Sequence, residues 1–279
     1  MNTNTFVLFL DILGFSDLVK ANSMENLKAI TNSFWDGFNR AIDESRTIDE
    51  GGSVPWKISL KDLEFRLISD SIFIWAKHDS FNNFRNLLEA TSSLLSYGLK
   101  NGFPLRGAIN YGELITSSFP NGPFFNNENV YGKSLVDAVQ IEKNQDWSGC
   151  LVTPEAWKRV CESWALPNND DPNSFFYFFP HLVWYQVPLK KGSKNAIAVN
   201  WTYETKWDEK TILSPDCIVK SFKQYREGAN DNKKVEETMK FLDASTELQN
   251  RIPCDDPRKE GFPVPNDQYI QLDNKYLTS

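Results

Sequence analysis

Asp11 and Asp70 are the two residues of this sequence placed to do chemistry. Asp11 follows Phe6-Val7-Leu8-Phe9-Leu10, an apolar run that reads as a strand buried on both faces. Ile12, Leu13, Gly14, Phe15 and Ser16 come next and lead into a polar segment of helical character. A carboxylate at the end of a buried strand is held rigidly, and the turn after it offers backbone N–H groups at a helix start. That combination suits a cation and the phosphates it neutralises. An Asp in that place also serves as an ordinary helix cap. Asp70 interrupts two apolar-rich segments, Leu63 to Ile68 and Ile72 to Ala76. The pattern predicts a hairpin with the acid in its tight turn, where Asp is also a common turn residue. If the two strand ends converge on one edge of a sheet, they make a two-cation site. Ions roughly 3.5–4 Å apart activate a hydroxyl and neutralise a leaving phosphate.

The elements that must position these acids follow from periodicity. Ser23 is placed to cap a helix with Leu27, Ile30, Phe34, Phe38 and Ile42 on one face. A loop is expected at 49–53. Ser80 begins a second helix, with Phe84, Leu87, Leu88, Thr91, Leu94 and Leu95 inward and Gly102 beyond its end. A strand from Leu105 to Ile109 carries Arg106, and Asn110 to Glu113 reads as a turn toward the next strand; read from the residues alone, Arg106 beside Gly107 is also placed to pair with Glu113. Residues 117–128 are rich in Pro, Gly and Asn and read as a loop or arm. A helix is expected from Gly132 to Lys143, a strand at Cys150 to Val152, and a short helix opening at Pro154. The order β–α–β–β–α–β predicts an α+β, ferredoxin-like core with extra strands.

Past about Leu166 the character changes, with a linker or long loop at 168–173. A densely aromatic, strand-forming stretch runs from Phe175 to Val187, and polar helices are expected over Pro215–Glu227 and Asn230–Gln249. The tail from Ile252 carries four Pro and reads as extended. The expected organisation is a catalytic domain at 1–166 with an extension at 167–279 packed on it, as an appendage or as part of the same domain. The aromatic stretch is better read as packing surface than as a base-stacking platform, because the chain is acidic.

Composition bounds the function. The 279 residues include nine Trp and twenty Phe, enough for a sizeable core. A net charge of −7 and a pI near 5.1 argue against non-specific nucleic-acid or polybasic membrane binding. Cys150, Cys161, Cys217 and Cys254 are scattered, and only His78 and His181 could join them, so a zinc site is not expected. No signal peptide and no run of membrane-spanning length is read. The expectation is a cytoplasmic protein in a reducing compartment.

The ordered set of motifs resembles the class III nucleotide cyclases over roughly residues 6–152. Phe9-Leu10-Asp11-Ile12-Leu13-Gly14-Phe15-Ser16 is similar to the family's first metal motif, and Arg66-Leu67-Ile68-Ser69-Asp70 to the second. Leu105 to Gly112 resembles the strand whose Arg touches the triphosphate. Asn129-Val130-Tyr131-Gly132, with Ala138 and Glu142, resembles the motif that the dimer partner contributes. The resemblance implies that Asp11, the Ile12 carbonyl and Asp70 hold two divalent ions, Mn²⁺ or Mg²⁺. It implies that Leu13, Gly14, Phe15 and Ser16 cradle a triphosphate through backbone N–H groups, and that Arg106 adds a fixed cation. Arg66 and Asn129 would read the base from the second protomer of a homodimer with shared active sites.

The departures from the family pattern narrow the reading. Arg66 stands where the purine-reading Lys is expected, and Asn129 where the base-reading Asp is. Val136 and Gln140 occupy the positions of the transition-state Asn and Arg, and neither can stabilise a charged phosphate. Lys133 is a candidate replacement cation. This altered set resembles the bacterial pyrimidine cyclases of Pycsar antiphage defence, which make cyclic UMP or cyclic CMP to activate a cell-killing effector. It implies UTP, or else CTP, as substrate, with uridylate cyclase favoured. The alternatives are an adenylate or guanylate cyclase, and a catalytically inactive nucleotide-binding sensor of the same fold.

Overall fold

The apolar run at the N-terminus forms the middle of a long strand, β1 (Asn2–Ile12), whose neighbours on both sides are antiparallel. The computed structural model describes residues 2–44, 60–118, 128–163, 181–202, 213–226 and 232–250. The expected loop at 49–53, most of the arm at 117–128, the linker at 168–173, the first part of the aromatic stretch and the tail from Ile252 with Cys254 lie outside these residues.

After β1 come α1 (Phe15–Ala21) and α2 (Met24–Glu44), then the hairpin β2 (Leu63–Ile68) and β3 (Ser71–Ala76). α3 (Phe81–Lys100), β4 (Leu105–Ser118) and β5 (Glu128–Tyr131) follow, then α4 (Lys133–Asn144), β6 (Gly149–Val152) and α5 (Pro154–Ser163). The described part of the C-terminal region holds β7 (Leu182–Pro188), β8 (Ser193–Val199), α6 (Pro215–Lys223) and α7 (Asn232–Asn250). Among the described residues the strands form one eight-stranded sheet in the order β2-β3-β1-β4-β6-β8-β7, with β5 pairing to β4. The first four strands in the order β2-β3-β1-β4, crossed by α2 and α3, are the expected ferredoxin-like core.

The sequence signals act as read. Ser80 caps α3 by accepting from the Asn83 N–H at 3.2 Å, and the Ser23 hydroxyl accepts from Asn26 N–H at 3.3 Å at the start of α2. One sheet face, with Phe6, Leu8, Leu10, Ile72, Ile74 and Ile109, meets α2 and α3 in the main core. The other face, with Val7, Phe9, Asp11, Trp75 and Ala108, is covered in part by α4, where Ala138 packs on Phe9 and Ala108.

Two differences have physical causes. The expected turn at Asn110–Glu113 is absent, because β4 runs unbroken to Ser118 and pairs with every residue of β1. Asn110 is buried within it, donating to the Ser134 carbonyl at 2.9 Å and accepting from the Thr153 hydroxyl at 2.7 Å, so a turn-forming residue is used as a strand-to-helix link. β8 was not expected from its sequence. It closes a hairpin with β7 at Gly192 (φ 81) and pairs with β6, so the region past residue 166 extends the same sheet. Its aromatic side chains pack inward on Trp147, which precedes β6: the ring centroids of Tyr185 and Phe241 lie 5.5 and 4.9 Å from that of Trp147, and Phe241 lies 4.9 Å from Tyr185 and 5.3 Å from Trp201.

Candidate active site

Antiparallel pairing brings the two acids to one rim of the sheet. Asp11 lies in register with Ser71 on β3 and with Arg106 on β4. Asp70 occupies the two-residue turn before Ser71, and Ser69 beside it has φ 58. The Ile12 N–H donates to the Asp70 carbonyl at 3.1 Å, tying the turn to the end of β1. The Ser71 hydroxyl donates to Asp11 Oδ1 at 3.1 Å. Asp11 does not cap the following helix; Gly14 stands at the N-cap of α1, in the left-handed region at φ 70, which a glycine adopts without strain.

Asp11 is half-buried and its carboxyl is pushed up to about 6. Burial is the largest cause, and the nearby carboxylates of Glu142 and Asp70 add to it. The Ser71 hydrogen bond and the Arg106 charge act in the opposite direction without cancelling it. The rim therefore gathers hard oxygen donors with less positive charge than they call for. That is the electrostatic setting a divalent cation relieves. Among the described residues no group of three or more His, Cys, Asp or Glu side chains converges as an ion cage. Two carboxylates with a backbone carbonyl instead fit ions that keep water and substrate phosphates as their remaining ligands.

Arg106 has a different partner from those expected. It is buried, and its Nε donates to Glu142 Oε1 at 2.6 Å while Nη1 donates to the Gln145 carbonyl at 2.9 Å. The second guanidinium nitrogen, Nη2, completes the ion pair with the same carboxylate. Its charge is thus bound to Glu142 on α4, not to Glu113, and it lies beneath the rim instead of presenting an open guanidinium to a triphosphate. A sequence signal for this was present: Glu142 belongs to the motif on α4 whose Ala138 packs on β1. The two residues are 36 positions apart, so spacing alone could not pair them.

The turn after β1 departs from expectation at one residue. The Leu13 N–H donates to the Pro104 carbonyl at 2.9 Å, so it is used in joining the ends of β1 and β4 and is not part of a cradle. Gly14, Phe15 and Ser16 sit at the start of α1, where the first N–H groups have no partner within the helix.

The base-reading candidates lie away from the acids in the same chain. Arg66 is on edge strand β2, in register with Phe73 and through it with Phe9, two positions back from Asp11 and two strands over. Its guanidinium donates to the Phe65 carbonyl at 2.9 Å and lies 5.7 Å from the Trp75 ring centroid. Asn129 is exposed on β5 opposite Ser117, eleven residues along β4 from Arg106. Lys133 and Gln140 are exposed on α4, as is Val136 at 53 %.

No protein-family model and no curated protein matches the sequence. The fold has likenesses among solved structures. The guanylate cyclase domain of RhGC from Catenaria anguillulae, in complex with GTP, is 11 % identical, with 71 % of this chain and 97 % of that one covered and a TM-score of 0.46. The adenylyl cyclase CyaB from P. aeruginosa is 12 % identical over 77 % of this chain and 98 % of its own, with a TM-score of 0.43. The monomeric guanylyl cyclase domain of the RhoGC fusion protein from Blastocladiella emersonii, as the E497/C566D double mutant, is 10 % identical over 71 % and 96 %, with a TM-score of 0.48. These values describe a partial likeness of fold, and the functional reading rests on the rim itself.

Proposed function

We propose that this protein is a nucleotide cyclase that converts UTP, or else CTP, to its 3′,5′-cyclic nucleotide and pyrophosphate. The observation that carries the reading is the placement of Asp11 and Asp70 on one rim, joined by the Ile12–Asp70 hydrogen bond. Asp11, Asp70 and the Ile12 carbonyl would hold two divalent ions, Mn²⁺ or Mg²⁺. When bound, those ions lower the pKa of the ribose 3′-hydroxyl and hold the β- and γ-phosphates as pyrophosphate leaves. Ser71 orients the Asp11 carboxylate through its hydroxyl. Gly14, Phe15 and Ser16, at the start of α1, would offer their N–H groups to the triphosphate. Arg106 neutralises Glu142 and keeps its charge in register with Asp11.

The base is read by Arg66 and Asn129 of a second copy, which makes a homodimer with two shared sites the working form. Ile68, 62 % exposed, and Val136 are large apolar side chains open on the α4 side of the sheet, where a second copy would bury them. Guanidinium and amide groups read a pyrimidine edge by hydrogen bonds. The cyclic product acts as a second messenger in antiphage defence, on an effector that recognises it. Among the described residues no helix is long and apolar enough to cross a membrane.

The test is incubation of the purified protein with each of the four nucleoside triphosphates and Mn²⁺, with products resolved by mass spectrometry. Cyclic UMP or cyclic CMP, lost in Asp70→Ala, is the expected result. Product from ATP or GTP exceeding that from pyrimidines would overturn the roles given to Arg66 and Asn129. Tight nucleotide binding without product would make the chain a sensor.

A further inference from the structure

Arg226, just past α6, reaches back across 212 residues to the turn that carries the site. It is 4 % exposed, and its guanidinium touches two loops at once. Nε donates to the Gly14 carbonyl at 3.2 Å and Nη1 to the Gly102 carbonyl at 3.2 Å. Nη1 also faces the Ser221 and Phe222 carbonyls of α6, at 3.1 and 3.4 Å. Gly14 lies three residues beyond Asp11, and Gly102 three residues before the start of β4. The Leu13–Pro104 hydrogen bond joins the same two loops. The neighbouring Tyr225 completes the clamp. Its carbonyl accepts from Asn22 Nδ2 at 2.9 Å at the end of α1, and its ring lies 5.6 Å from Phe103. Tyr225 holds φ 65, a conformation that a bulky residue keeps only when its surroundings hold it there.

From this we infer that Arg226 is a positioning residue for the Asp11 rim, and that the C-terminal region is a working part of the site. The inference rests on the cyclase reading for the chemistry the rim performs, but the clamp itself is defined by Gly14 and Gly102. A buried charged donor on two carbonyls fixes both loops in one geometry, and a small displacement of a catalytic turn is enough to lose alignment.

The test uses the full chain and three variants. Arg226→Met keeps the apolar stem and removes the donors, and Arg226→Lys returns a charged donor. Ile218→Val trims a fully buried side chain on α6 as the packing control. Amide exchange over residues 13–21, the affinity for Mn²⁺ with inorganic triphosphate by calorimetry, and KM and kcat for the nucleotide are measured on each. In Arg226→Met, exchange over 13–21 is expected to rise about tenfold beyond that in Ile218→Val. Mn²⁺–triphosphate affinity falls about tenfold and KM rises by a similar factor, with partial recovery in Arg226→Lys. An Arg226→Met that matches Ile218→Val in exchange and affinity would reduce Arg226 to a packing residue and overturn the inference. Should Arg226→Met fail to fold, Arg226→Lys against Ile218→Val decides on the same readouts. If the wild type forms no cyclic product while Arg226→Met still loosens 13–21 and weakens Mn²⁺–triphosphate, the cyclase reading falls and the inference stands. A wild type that binds no Mn²⁺–triphosphate overturns both.

Discussion

Replacing Asp11 by Asn should stabilise the metal-free protein at neutral pH. The Asp11 carboxyl ionises near 6 in the fold against 3.8 ordinarily, because burial, Glu142 and Asp70 all disfavour its charge. Below about 3.8 it is neutral in folded and unfolded chains alike, and it carries no penalty there. As the pH rises from 3.8 toward 6 the unfolded chain loses its proton first, so stability falls through that interval and the penalty is complete above it. The full interval corresponds to about 3 kcal/mol; solvent still reaches this half-buried group, and that screening leaves about 1 kcal/mol. Asn keeps the shape and the acceptor for the Ser71 hydroxyl while removing the charge. Thermal melts in a chelator should therefore show Asp11→Asn melting about 2–4 °C above wild type at pH 7.5. The two should coincide near pH 3.5. Adding Mn²⁺ at pH 7.5 should raise the wild type and leave the variant behind. A variant less stable than wild type at pH 7.5, or one whose advantage is the same at both pH values, would refute the electrostatic reasoning.

Other perturbations test the supports of the rim. Glu142→Ala leaves the buried Arg106 charge without its partner and should cost about 3 kcal/mol by denaturant unfolding. The double variant Arg106→Met/Glu142→Met should lose less than Glu142→Ala alone, because no charge is stranded. Gly107→Ala would drive its Cβ into the Phe9 carbonyl and the Leu10 side chain, so β1 and β4 must part; about 2 kcal/mol should be lost, read by the same unfolding curves.

Much of the rim was legible because its parts are local. Five apolar residues ending in Asp11, and the interruption at Ser69-Asp70, each announce a strand end, and antiparallel pairing then places them together. The helices were legible from Ser23, Ser80 and three- and four-residue spacing. What could not be read depends on long-range partners. Asn110 and Gly112 carry turn chemistry, yet pairing with Val7 and Thr5 overrides it. β8 begins Ser-Lys-Asn and only Ile197, Ala198 and Val199 are buried, so its pattern is too short to announce a strand. The bonds from Arg106 to Glu142 and from Arg226 to Gly14 join residues whose spacing has no local period.

Whether Asp11 and Asp70 together seat cations beneath a nucleotide's phosphates is decided by Mn²⁺ binding. Paramagnetic resonance titrations with inorganic triphosphate present would compare wild type with Asp11→Asn and Asp70→Asn. Wild type should bind saturably and each variant at least about tenfold more weakly, since each loses a charged ligand. Equal Mn²⁺ affinity in all three proteins would contradict that seating.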